Sequence, residues 1–239
     1  MSDTTPTPSI TAEDVHLDHP VPWHPLARLG GPVTVVLGSV LAAVGMALHL
    51  PAMAEDLAIP MAIADAPTRW LGSHLLMGFG FALVAVGAGS HLAVLRGDRG
   101  ATVTAMGIVA TTLGAITMAL GDVAHGAVGF ALTAVDPATS FEAHEAYFAH
   151  PAILGINTGP LLISVGMLVL GAGLLRSGVH PRWIGVVIML TPVAVNAAFN
   201  LALPTLLHGV PFAAGMSVFA YAMWRTPRPL PTGVANVTR

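Results

Sequence analysis

Residues 32–53 read PVTVVLGSVLAAVGMALHLPAM, without a single Lys, Arg, Asp or Glu. A helix needs about 20 mostly apolar residues to cross a bilayer, so this run is long enough to do so. Comparable runs occupy 70–95, then 101 onward past Asp122, then 151–175, 183–203 and 208–224. Pro204 and the Leu207-His208-Gly209 turn leave one alternative, a single hairpin bent inside the membrane in place of the last two runs. Charged residues make up 9% of the chain and hydrophobic ones 54%. A soluble domain carries about 25% charged residues, so lipid has to cover much of this surface. The expected fold is an all-α polytopic membrane bundle of about six transmembrane helices, occupying residues 30–226. A disordered cytoplasmic tail precedes it at 1–29, and a second cytoplasmic tail follows at 227–239.

Arginine placement predicts the orientation. Arg28, Arg96, Arg99, Arg176, Arg182, Arg225 and Arg228 fall at one set of helix ends, and only Arg69 falls at the other. Positively charged loops stay in the cytoplasm, so both termini are expected there, in a multi-pass protein of the cell membrane. Trp23, Trp183 and Trp224 then belong to the inner interface and Trp70 to the outer one, as an aromatic belt requires. An outer loop is expected around 126–150. The Pro-rich leader lacks a basic start and a cleavage pattern, so it reads as an uncleaved tail. Its His16, His19 and His24 are metal candidates, with a disordered tail as the preferred reading. The stretch RSGVHPRWIG, 176–185, resembles loops of small multi-pass bacterial membrane proteins. That resemblance implies a bacterial inner membrane and no activity. Gly78, Gly80, Gly87 and Gly89 in the second run, and Gly166, Gly171 and Gly173 in the fourth, predict close helix packing.

Several functions are disfavoured. The chain has no Cys, which removes disulfides, thiolate metal sites and cysteine nucleophiles. The net charge of -3 and the lack of a basic run argue against a nucleic-acid partner. There is no Gly-rich phosphate loop, no GxSxG and no dinucleotide motif. Ser39 and Ser73 are serines near histidine, with nothing around them to separate a nucleophile from a packing residue. No larger internal repeat supports an inverted-repeat transporter.

The polar residues inside or beside the apolar runs gather at the predicted outer ends. These are His49, His74, Asp122, His125, Glu142, His144, Glu145, His150, Asn196, Asn200 and His208. Asp122 and His125 are three residues apart, and Asn196 and Asn200 four apart, so each pair shares a helix face. Only His91 and His180 fall at the inner side. Ionisable groups at membrane depth are costly and commonly mark function. Imidazole with carboxylate suits zinc, copper or iron. The expected metal ligands are therefore His49, His74, Asp122, His125, His150 and His208, with Glu145 as a catalytic proton carrier. A b-type haem held by two of His49, His74, His125 and His150, with space at Gly78 and Gly121, is the weaker cofactor reading. Each residue also has a plain structural reading. His49 caps a carbonyl freed by Pro51, His74 and His208 sit among headgroups, and His150 punctuates a helix before Pro151. The function expected is a metal-binding membrane protein, an oxidoreductase or hydrolase at the outer leaflet. The alternatives are a non-catalytic subunit of a larger complex, self-associating or bound to other membrane subunits, and, more weakly, a small-solute transporter.

Overall fold

The computed structural model describes residues 25–49, 58–95, 99–156, 158–201 and 204–226. Trp23, the leader histidines, Pro51, Glu55, Asp56, Arg96, Asn157, Arg228 and the last residues of the chain lie outside them, as do the side chains of Arg28 and Asn200. Every regular element among the described residues is helical. In order they are α1 (Pro25–Leu48), α2 (Ala58–Asp65), α3 (Pro67–Ser90), α4 (Ala101–Leu132), α5 (Pro137–Ala149), α6 (Pro151–Ile156), α7 (Gly159–Ser177), α8 (Arg182–Asn200), α9 (Thr205–His208) and α10 (Val210–Arg225). A 3-10 turn at His91–Val94 extends α3.

Among the described residues, four helical segments are long and apolar enough to cross a membrane: Leu29–Leu48, Pro67–Ala93, Ala101–Leu132 and Gly159–Ser177. The apolar part of α8, Arg182–Ala198, is shorter, and α10 has 16 residues. Helices α1, α3, α4, α7, α8 and α10 each pack on the next in chain order, and α10 returns to α1. The ring is filled by Phe81, Ile108, Met167, Leu170, Met216 and Phe219, all buried. Its outside carries exposed apolar side chains such as Leu37, Phe79, Met106, Leu120 and Leu161. Apolar surface of that extent matches lipid and not water.

Small residues at seven-residue intervals set two seams of the ring, α1·α3 and α4·α7. Gly31, Gly38 and Gly45 recur on α1, facing Ser73, Gly80 and Gly87 on α3. A Cβ added at Gly80 would lie 2.6 Å from the Gly38 carbonyl oxygen, and one at Gly45 would lie 2.7 Å from that of Ser73. The α4·α7 pair repeats the device, with Gly107 and Gly114 against Leu170 and Ile163, and Gly166 and Gly173 against Thr111 and Thr104. A seven-residue period keeps one seam of each helix facing its partner. In lipid, where apolar burial drives little association between helices, backbone approach of this kind supplies the packing. Gly89 differs, because a Cβ there would meet only ordinary contacts from Thr112.

Helix ends follow local chemistry. Asp136 caps α5, accepting from the Thr139 hydroxyl at 2.6 Å and the Thr139 N–H at 3.1 Å, ahead of Pro137. Those bonds hold its carboxyl below the ordinary range. Gly178, at φ 67°, ends α7 in the left-handed region that glycine favours. Several element boundaries differ from the sequence reading. The helix expected over 151–175 divides into α6 and α7: Pro160 has no N–H to offer the Ile156 carbonyl one turn back, and α6 ends at Ile156. The outer loop expected around 126–150 is mostly helix, since α4 runs on to Leu132 and α5 fills most of the remainder. Residues 25–29, read as tail, already belong to α1. His208 closes α9 instead of opening the last long helix, which begins at Val210.

Candidate functional site: a histidine and aromatic cluster

Four elements bring histidines together at one end of the ring. Arg69, at the start of α3, donates from Nε to the Leu48 carbonyl at 2.7 Å and so caps the C-terminus of α1. This bond ties the chain at His49 to the first turn of α3. There the His49 ring meets Trp70 at a centroid distance of 5.2 Å and His74 at 4.9 Å. On α3, Trp70 and His74 are one turn apart, with rings 4.2 Å from each other. The His74 ring nitrogen Nδ1 lies 2.9 Å from the Trp70 carbonyl. A carbonyl can only accept, so Nδ1 carries the proton and the Nε2 lone pair of a neutral His74 is left for another partner.

Helix α4 receives this group because it is bare at two positions. A Cβ at Gly126 would lie 2.5 Å from the His74 Cβ, and one at Gly129 would strike the Trp70 indole nitrogen. His125, next to Gly126, reaches the His74 ring at 4.8 Å and Trp70 at 5.0 Å. Helix α5 closes the cluster from outside. Its Ser140 and His144, four residues apart, are buried against the bundle, and Phe148 continues that face. His125 Nε2 and His144 Nε2 stand 3.3 Å apart. Phe148 packs edge-on against both rings, at 4.6 Å from His125 and 4.7 Å from His144, and Tyr147 stacks on His125 at 6.1 Å.

Burial separates the members. His74 is 1% exposed, Trp70 4% and His144 8%, whereas His49 and His125 are partly covered. Burial pushes His144 below the ordinary imidazole value, and the charge of neighbouring Glu145 pulls it partly back. Burial also raises the Tyr147 hydroxyl. The headgroup reading of His74 does not hold, because α3 and α4 enclose it. Trp70 is likewise no member of an exposed belt, because Gly129 lets α4 approach and cover its indole.

The other expected ligands lie on α4, between α5 and α6, and on α9. Asp122, one turn before His125 on α4, lines a cavity of about 130 Å³ with His125, Tyr147 and Phe148. Its Oδ2 is buried without a hydrogen-bond partner. His150 is exposed and accepts from the Ala152 N–H at 3.2 Å through Nδ1, which is the helix-punctuation role. His208 is partly covered on α9, which packs on α1, α8 and α10. Glu145 is exposed beside His144. Asn196 donates to the Pro192 carbonyl at 2.8 Å. Among the described residues, no three His, Asp or Glu side chains converge as placed on a point that an ion could occupy. Gly121, read as space for a haem, would bring an added Cβ within 2.6 Å of Ile156 Cγ2.

Sequence reading passed over Trp70, Tyr147 and Phe148 as site members. The i, i+4 spacing of Ser140, His144 and Phe148 was the available signal. No family model matches the chain, and neither a curated protein nor a solved structure matches it.

Proposed function

We propose that the chain is a six-span membrane protein with both termini in the cytoplasm, whose outer end binds a transition metal through His74, His125 and His144, with His49 as a fourth donor. The observation that carries this reading is the 3.3 Å separation of His125 Nε2 and His144 Nε2. Two imidazole nitrogens on one tetrahedral zinc stand about 3.3–3.4 Å apart, given Zn–N bonds of about 2.0–2.1 Å. The His74 tautomer supports it too. An Nδ1–H fixed on a backbone carbonyl leaves Nε2 as the donor atom, which is the usual way a ligating histidine is oriented. An ion would draw the His49, His125 and His144 side chains toward His74 Nε2, whose ring the Trp70 carbonyl holds in place. Zinc, copper or iron suits an all-imidazole set. Glu145, exposed beside His144, is the carboxylate placed to exchange protons with the outer solution.

The reading is tested by metal content. Protein purified without chelator should carry close to one zinc, copper or iron ion per chain by plasma mass spectrometry. Protons compete with metal for imidazole, whose ordinary pKa is about 6.5. Burial lowers His144, so it stays neutral to lower pH, and loss of the ion is expected below about pH 6.5 and not above it. A chain free of metal under every condition contradicts the proposal and favours the accessory-subunit alternative.

Orientation is tested separately, and the lack of native Cys makes single cysteines clean probes. A cysteine at Ala138, exposed on α5, should react with an impermeant maleimide on intact cells. One at Val179, exposed in the turn between α7 and α8, should react only after the cells are opened. The reverse pattern inverts the proposed topology.

A further inference from the structure

A chamber of about 470 Å³ lies inside the ring, and all six ring helices wall it: Met46 from α1, Phe81 from α3, Met118 from α4, Met167 from α7, Val195 from α8 and Phe212 from α10. That volume falls within the roughly 300–1,000 Å³ typical of small-molecule sites. Its walls are largely apolar. Pro160 and Leu161 also line it, and both are exposed on the outer surface of α7, so the chamber opens sideways toward lipid.

Met118 and Pro160 serve as walls of a second space as well, the cavity of about 130 Å³ that contains Asp122 and His125. The two spaces are therefore neighbours, the first walled mostly by apolar side chains and the second carrying Thr117, Asp122, His125 and Tyr147 in its wall. The Oδ2 of that Asp122 is buried and has no hydrogen-bond partner. An unsatisfied buried polar atom is costly and calls for a partner from outside the chain. An ionised carboxyl only accepts, whereas a protonated one also donates, so a hydroxyl, which can do either, meets both states.

We infer that the chamber and the cavity are two ends of one site, which takes a lipophilic molecule bearing a hydroxyl head, of the phenol or hydroquinone class. The apolar body lies among Met118, Met167, Val195 and Phe212, and the head hydroxyl hydrogen-bonds the Asp122 carboxyl beside His125. The inference rests on the proposed function in setting the head next to the histidine cluster, while binding itself needs no metal. A molecule of this class partitions into the bilayer and reaches the opening at Leu161 without crossing water.

The test uses a decyl-substituted hydroquinone, with decylbenzene as the probe that lacks hydroxyls. Binding is measured by equilibrium dialysis against the full chain in lipid nanodiscs. The wild type should prefer the hydroquinone roughly tenfold or more, the scale of a hydrogen bond to an otherwise unpaired buried group. Asp122→Leu should remove that preference. Val195→Trp and Ser164→Phe, at two side chains that line the chamber, should fill it and weaken both probes at least tenfold, with melting measured on each variant. On the wild type, a photoreactive decyl hydroquinone should label peptides of α7 or α8, and this result does not depend on any variant folding. Equal binding of the two probes to wild type overturns the assignment of the head and marks the chamber as a place for lipid tails only. Unchanged binding in both filled variants, or labelling confined to other helices, overturns the site. Wild type stripped of metal by chelator should keep hydroquinone binding. If the wild type binds the probe but contains no metal, the metal reading fails and this one stands.

Discussion

Adding one methyl group at Gly107 is expected to destabilise the protein, although alanine is the better helix former. At that position a Cβ would collide with the backbone N and Cα of Leu170, and backbone cannot turn aside as a side chain can. Relief would need α4 and α7 to separate along the seam that Gly114, Gly166 and Gly173 share. Overpacking of a tight interface costs on the order of 1–3 kcal/mol. Gly72 provides the opposite case on α3, with nothing within 4 Å of an added Cβ. Gly72→Ala should stabilise by up to ~1 kcal/mol through helix propensity alone. Thermal unfolding in detergent should therefore shift down for Gly107→Ala and up, or not at all, for Gly72→Ala. Matching shifts in the two variants would show that the seven-residue glycine seams do not set the packing distance.

The second large effect is expected at the histidines. His74→Ala, His125→Ala and His144→Ala each remove one proposed donor from a different helix. Loss of a group that merely supports a ligand weakens metal sites roughly 10–100-fold, and loss of a ligand should exceed that. His150→Ala should leave the bound metal unchanged, because that side chain is exposed and occupied with the Ala152 amide. The contrast separates neighbours in sequence, since His144 lies on the buried face of α5 and His150, six residues on, is exposed just past its end. Competition titration with a chromophoric chelator measures the affinities. Equal affinity in His150→Ala and His125→Ala would dissolve the proposed ligand set.

Much of the architecture was legible in the residues. The apolar runs and the glycine content lead to a helical bundle with close seams, and Gly87 and Gly171 do lie at such contacts, against Val35 and Gly185. Boundaries were harder to read where amphipathic and apolar helices run together. Residues 126–150 carry enough polar side chains to look like a loop, yet Asp136-Pro137 is a cap followed by a helix with its own buried face. At the site, depth was legible and partnership was not. Counting helical rise places His49, His74 and His125 at one level, which is where their rings meet. Which side of a helix faces which neighbour depends on Gly126 and Gly129, small residues whose meaning appears only once α3 is seen against α4. Trp70 was misplaced for the same reason. An indole near a helix end suits a lipid interface as well as a packed cluster, and the choice lies with the facing helix.

The most direct test of the metal site is the X-ray absorption spectrum of the purified, metal-loaded protein at the metal edge. The proposed site predicts a shell of three or four nitrogen donors, at about 2.0–2.1 Å for zinc, with the multiple-scattering pattern of imidazole rings. That pattern should diminish by one ring in His144→Ala. A shell of oxygen donors alone, or an imidazole count unchanged by removal of His144, would contradict it.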